Sequence, residues 1–112
     1  MKETKMGKSE AAACSLVADF FRALADETRL KILFSLFEGA MCVMHISERV
    51  EMSQSAVSHQ LAILKRANLV KVVRYGKKQV YSLADEHIRV IVGMAEAHMS
   101  ECVMSGGDYV ES

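Results

Sequence analysis

The sequence predicts a mainly α domain in which a helix-turn-helix is followed by a β-hairpin wing and a closing helix. Three observations predict it. Proline is absent and aromatics are few, while Leu, Ile, Val, Ala and Met abound, which favours helices over a β-sandwich. Two short amphipathic segments flank the tight Glu51-Met52-Ser53 connection, the pattern of a helix-turn-helix. Two runs rich in valine and tyrosine, residues 70–75 and 79–83, enclose Gly76-Lys77-Lys78, a hairpin with a basic tip. At 112 residues there is room for one domain with a modest core, and a chain this short often gains stability by self-association.

The elements follow in order. Residues 1–8 read as a frayed arm, 9–105 as the folded domain and 106–112 as a flexible tail. Ser9 can cap a first helix over 10–24, with Leu16, Phe20 and Leu24 recurring on one face. Asp26 can cap a second helix, where Leu30, Leu33, Phe34 and Phe37 form an apolar stripe. Glu38-Gly39 closes it, with glycine supplying the left-handed conformation. A third helix spans about 43–50. Ser53 or Gln54 opens a fourth that reaches about residue 67, its Val57, Leu61 and Leu64 facing the core. A last helix runs from Asp85 or Glu86 to about Ser105.

Net charge is zero, so the molecule is no generic polycation, but its charge is segregated. Residues 53–83 hold six basic side chains and no acid, leaving a balancing −6 on the rest. On the fourth helix, Ser53, Gln54, Ser55, Ser58, His59 and Lys65 lie off the core face. Short hydroxyl and amide side chains at a helix start can bond phosphates or base edges, and an amide such as Gln54 can pair bidentately with adenine. Arg74, Tyr75, Lys77 and Lys78 at the hairpin would rest on the neighbouring backbone or minor groove. Taken singly, each has a plainer role: Ser53 a cap, His59 a surface imidazole, the lysines solvated charges. Together, in order and on suitable elements, they point to double-stranded DNA.

The stretches Leu24-Ala25-Asp26-Glu27-Thr28-Arg29-Leu30-Lys31-Ile32-Leu33, Ser53-Gln54-Ser55-Ala56-Val57-Ser58-His59-Gln60-Leu61 and Arg74-Tyr75-Gly76-Lys77-Lys78-Gln79-Val80-Tyr81-Ser82-Leu83 resemble the ArsR/SmtB family of metal-sensing repressors. The likeness runs from about residue 20 to 101. It implies a winged-helix homodimer with first and last helices at the interface, bound to an inverted-repeat operator, and repression relieved by an inducer. Genes for metal export or sequestration would be the targets.

The last helix carries Asp85, His87, His98 and Glu101. His98 and Glu101, three apart, share a face. His87 and His98 point almost the same way but stand ~16 Å apart along the axis, at ~1.5 Å per residue. Zinc–ligand bonds of ~2.0–2.2 Å cannot join the two pairs within one chain. An antiparallel second copy would bring Asp85 and His87 to its His98 and Glu101, making two equivalent intersubunit sites. Four N/O donors in a tetrahedron suit Zn(II), with Co(II) as a surrogate. A cap at Asp85 and a surface pair at His98 and Glu101 would be the plainer reading. The resemblance favours the metal, because the spacing is similar to the fifth-helix zinc site of zinc-responsive members. Because a ligating imidazole usually donates its other N–H to a nearby acceptor, a relay from His98 toward the fourth helix through backbone near Asn68 is expected.

Cysteine leaves alternatives open. Cys102 could replace Glu101 and shift preference toward Cd(II), or simply pack at a dimer seam. Cys14, Cys42 and His45 could form a second metal or redox site, although Met44 stands where lead and cadmium sensors of the family usually have a second cysteine. A thiol-responsive or Cd(II)/Pb(II)-responsive repressor of the same fold is one rival; a zinc hydrolase is another, opposed by the lack of an open metal position and of a nucleophile motif. Three widely spaced cysteines suit a reducing cytoplasm, and the charged start without an apolar segment does not read as a signal peptide. Neither a membrane nor a small organic substrate is expected as a partner.

Overall fold

A computed structural model describes residues 4–104. Its elements are α1 (Lys8–Leu24), α2 (Glu27–Ser35) continued by a 3-10 turn (Leu36–Glu38), β1 (Met41–Cys42), α3 (Val43–Val50), α4 (Gln54–Arg66), β2 (Val70–Tyr75), β3 (Lys78–Leu83) and α5 (Glu86–Met104). The expected mainly α winged helix-turn-helix is present. The predicted tail at 106–112, residue 105 and the first three residues of the arm lie outside the described residues.

Local chemistry sets most boundaries where the sequence placed them. Asp26 caps α2, its Oδ2 accepting from the Arg29 backbone N–H at 3.0 Å, and Ser53 Oγ caps α4 by accepting from the Ala56 N–H at 3.1 Å. The start of α1 differs: it begins at Lys8 because Gly7 takes the cap in place of Ser9, its N–H donating to Glu10 Oε1 at 3.3 Å. Gly39 ends the second helical segment at φ 136°, ψ −178°, an extended positive-φ conformation reserved for glycine, in place of the left-handed helical one expected. The turn between α3 and α4 pivots on Glu51, which is left-handed at φ 57° and ψ 49°, and the Met52 N–H closes back on the Ser47 carbonyl at 3.1 Å.

Beyond α4 the chain reverses through a Schellman motif. Leu69 N–H donates to the Leu64 carbonyl (2.9 Å), Asn68 N–H donates to that of Lys65 (3.0 Å), and Asn68 takes φ 61°. The hairpin loop is two residues, Gly76-Lys77, because Lys78 already pairs with Tyr75. Gly76, at φ 62°, meets the positive φ that the first residue of a type II′ turn requires. β1 is an addition that two residues could not announce by periodicity. It pairs antiparallel with β3 (Met41↔Tyr81, Cys42↔Val80), giving the sheet order β1-β3-β2.

The core lies where α2, α3 and α4 meet. Ile32 and Leu33, Ile46, and Val57, Leu61 and Leu64 are at most 1% exposed. α5 docks by burying Ile88 and Val92, while Arg89 donates to the Phe37 carbonyl and its guanidinium sits 5.1 Å from the Phe37 ring centroid. α1 is the loosest element. Leu16, on the expected apolar stripe, is 71% exposed, and Phe21 is 51% exposed. Met94 and Val103 on α5 are likewise open, 67% and 63% exposed. Between these helices and α2 runs an apolar groove of about 790 Å³, lined by Phe21, Leu30, Phe34, Ile91 and Met99 among others.

Candidate nucleic-acid interface and metal centre

α4 is amphipathic in the sense that matters for reading a duplex. Val57, Leu61 and Leu64 anchor it, and Gln54, Ser55, Ser58, His59 and Lys65 all stand exposed on its outer side. Ser53 is also exposed, but its hydroxyl oxygen already accepts the cap bond, so any phosphate contact falls to its O–H and to the open N–H groups of the helix start. Arg74, Tyr75, Lys77 and Lys78 are exposed on the wing, with Tyr75 at 66%. Arg74, Lys77 and Lys78 also face the start of α3 across a groove of about 670 Å³ whose other wall holds Cys42, Met44 and His45. The six-charge, acid-free segment thus divides between a helix and a wing on one continuous stretch of chain.

One residue that holds α4 in place was not singled out from the sequence as doing so. Arg29 Nε donates to the Ala23 carbonyl at 2.7 Å and Nη2 to that of Arg22 at 3.3 Å, the last turn of α1; Nη1 donates to Gln60 Oε1 on α4 at 3.2 Å. A single guanidinium therefore ties the end of α1 to the middle of α4. The signal was faint: an arginine three residues after a cap aspartate, and a glutamine half-buried amid polar neighbours.

The metal candidates lie at the two ends of α5, Asp85 and His87 at its start and His98 and Glu101 near its end. Asp85 caps the helix, its Oδ1 accepting from the His87 N–H at 2.9 Å, and the same oxygen lies 3.4 Å from His87 Nδ1. The side chains are 55% and 86% exposed. A tetrahedral ion with ~2.0–2.1 Å bonds to nitrogen and ~2.0–2.2 Å to oxygen separates its donors by about 3.4 Å, so the pair is already spaced for chelation. At the other end His98 and Glu101 are exposed, and His98 Nε2 lies 3.8 Å from Sγ of the half-buried Cys102. Among the described residues, no three His, Cys, Asp or Glu side chains gather closely enough to hold one ion within a chain. That applies also to Cys14, Cys42 and His45. Cys42 stands at the cap of α3 and His45 in its first turn, whereas Cys14 is exposed on α1, 3.9 Å from the Met6 sulfur.

Among the described residues no helix is long and apolar enough to cross a membrane. Comparison with known proteins converges on one family. Residues 26–72 match the bacterial regulatory protein family named arsR. Over 85 residues, 76% of this chain, the sequence is 41% identical to a transcriptional repressor SmtB homolog of Synechocystis, of whose length the match covers 64%. Over 91 residues it is 40% identical to a cadmium resistance transcriptional regulatory protein CadC homolog of Staphylococcus aureus, covering 80% of this chain and 75% of that one. Among solved structures, the homodimeric winged helix-turn-helix DNA-binding domain of Mb0332 from Mycobacterium bovis, a possible ArsR-family transcriptional regulator, superposes with a TM-score of 0.80. It is 29% identical, over 88% of this chain and 92% of that one. The hydrolase alternative falls with these matches, since the fold and its relatives are regulatory rather than enzymatic. An exposed polar face on α4, a basic wing and this kinship together place the chain in the ArsR family of bacterial regulatory proteins.

Proposed function

We propose that this protein is a cytoplasmic, homodimeric, metal-responsive repressor that binds inverted-repeat operator DNA and releases it when Zn(II), or Co(II) in its place, binds between the subunits. The observation that carries the reading is the arrangement of α5. It has a closely spaced Asp85–His87 pair at its start and exposed His98 and Glu101 near its end, too distant along the axis to share an ion with the first pair, and open apolar side chains between and beyond them. A second copy laid antiparallel supplies the missing half of each site and covers the apolar face. Asp85 and His87 of one subunit would meet His98 and Glu101 of the other. The relatives' names agree in kind, one a repressor and the other a cadmium-resistance regulator.

In this reading two α4 helices enter successive major grooves about one turn (~34 Å) apart. Ser53, Gln54, Ser55, Ser58, His59 and Lys65 face the groove, while Arg74, Tyr75, Lys77 and Lys78 grip the flanking backbone. Holding the two α5 helices together fixes a dimer geometry with the wrong spacing, so DNA affinity falls. By linkage, DNA weakens metal binding by the same factor. A ligating imidazole usually donates its other N–H to a nearby acceptor, and the backbone around Asn68 at the end of α4 is the proposed receiver. Fluorescence anisotropy on inverted-repeat DNA with Zn(II), Co(II), Cd(II) and Ni(II) tests the proposal. His98→Ala should bind DNA as the parent does and fail to release it with Zn(II). A parent protein indifferent to every metal would overturn the metal half alone.

A further inference from the structure

We propose that Cys102 is a second-choice ligand built into the same centre, taking the place of Glu101 when the ion is thiophilic, so that one site answers both Zn(II) and Cd(II). The inference rests on the intersubunit site just described. His98 and Cys102 are four residues apart on α5, stacked on one helical face, with Nε2 and Sγ 3.8 Å apart. Tetrahedral Zn(II), at ~2.0–2.1 Å to nitrogen and ~2.3 Å to sulfur, needs about 3.6 Å between those donors, and a larger ion needs more. The observed spacing lies at or just beyond the zinc value. The imidazole and thiol therefore form a ready-made chelate, as Asp85 and His87 do at 3.4 Å.

Burial separates the two candidates for the fourth position. Cys102 is half-buried while Glu101, one residue earlier and about 100° around the axis, is exposed. A borderline ion accepts either oxygen or sulfur, and a soft one prefers the thiolate. On binding, the Cys102 thiol gives its proton to water and forms one S–metal bond; no oxidant or reductant takes part. Asp85, Cys102 and two neutral imidazoles then present two negative charges to a dication, the same total that Asp85 and Glu101 would offer.

The test is titration of the intact, reduced, metal-free protein with Cd(II) in the absence of DNA, following the ultraviolet thiolate-to-metal charge-transfer band. A Cys14→Ser/Cys42→Ser double variant should keep the band at one Cd(II) per chain. Cys102→Ser should lose it, and its Cd(II) affinity should fall by more than the roughly 10-fold that even an outer-shell partner costs. His98→Ala should lose the band as well, whereas Glu101→Gln should retain it. A band that survives Cys102→Ser, or vanishes in the double variant, overturns the proposal. Zn(II)-driven release of DNA by Cys102→Ser is read separately: its loss would place Cys102 in the zinc set too and refute the exchange of ligands, while failure of the parent to release DNA would refute the regulatory reading and leave the Cd(II) band to decide this one.

Discussion

Replacing Arg29 by methionine keeps an unbranched stem of similar length and removes every donor that joins α1 to α4. Three hydrogen bonds are lost, to the Ala23 and Arg22 carbonyls and to Gln60 Oε1. Each bond from a charged donor contributes about 1.5–3 kcal/mol in favourable cases, but this guanidinium is only half-buried and the freed carbonyls at the end of α1 can rehydrate. A net loss of about 2–3 kcal/mol follows, with the short 2.7 Å bond to Ala23 supplying the largest share. For a domain of this size ~1 kcal/mol corresponds to about 4 °C in Tm, so the transition should fall by about 8–12 °C. Lysine offers a point charge without the fork and should recover at most one carbonyl bond, giving an intermediate value.

The link to α4 is isolated by a double-mutant cycle with Gln60→Ala, in denaturant and at one protein concentration so that any change in self-association is held constant. A coupling of about 0.5–1.5 kcal/mol is expected for that single bond. Because Gln60 lies on the helix proposed to enter the major groove, Arg29→Met should also weaken DNA binding beyond the fraction of protein unfolded. A destabilisation under about 0.5 kcal/mol, the range of an ordinary surface change, would refute the bridge. So would a coupling indistinguishable from zero.

Other perturbations separate structural from binding roles. Ser53→Ala removes the cap on the Ala56 N–H and should cost about 1 kcal/mol by chemical denaturation, whatever its effect on DNA. Lys77→Ala and Lys78→Ala should leave Tm within about 0.5 kcal/mol of equivalent stability, yet weaken binding to every DNA sequence alike and lower the salt slope by about 1 each in anisotropy titrations. Gly76→Ala forces a side chain into φ 62° and should destabilise the wing by about 1 kcal/mol or more, read as lost protection of β2 and β3 amides in hydrogen exchange. Leu61→Ala, at a position 1% exposed, should cost about 2–5 kcal/mol and lose DNA binding through unfolding, so that lowering the temperature restores it.

Legibility in the sequence followed the range of the interactions. Asp26 and Ser53 announced their helices because a cap acts over three residues. Val57, Leu61 and Leu64 announced a buried face because helical periodicity is local. The first helix was misplaced at its start, which needs knowledge of surroundings. Glu10 reaches back to Gly7 and moves the cap, and Leu16 sits on a regular apolar stripe that a single chain leaves open. β1 and the Arg29 bridge were hidden for the same reason, since each is defined by a partner 31 or more residues away. At the candidate site, residue type and spacing placed Asp85 beside His87, as found, but did not show that Cys102 turns toward His98, which depends on rotamers.

The distribution of burial also constrains how a ligand on α5 could alter DNA binding. α4 is held by three side chains at most 1% exposed, interlocked with Ile32, Leu33 and Ile46. Rotating it within the protomer would uncover several of these, and each large core side chain disturbed costs about 2–5 kcal/mol. Typical allosteric coupling is only ~1–3 kcal/mol, too little to repack that core. The open faces of α1 and α5 offer a softer coordinate, because sliding one apolar surface over another changes few fully buried contacts. In the proposed dimer, a switch that uses α5 therefore has to move whole protomers relative to each other and carry α4 along rigidly. Arg29, linking the end of α1 to Gln60, is placed to enforce that rigidity. If so, Arg29→Met should reduce the metal-dependent change in DNA affinity more than it reduces metal affinity, and equal losses in both would return the coupling to some other route.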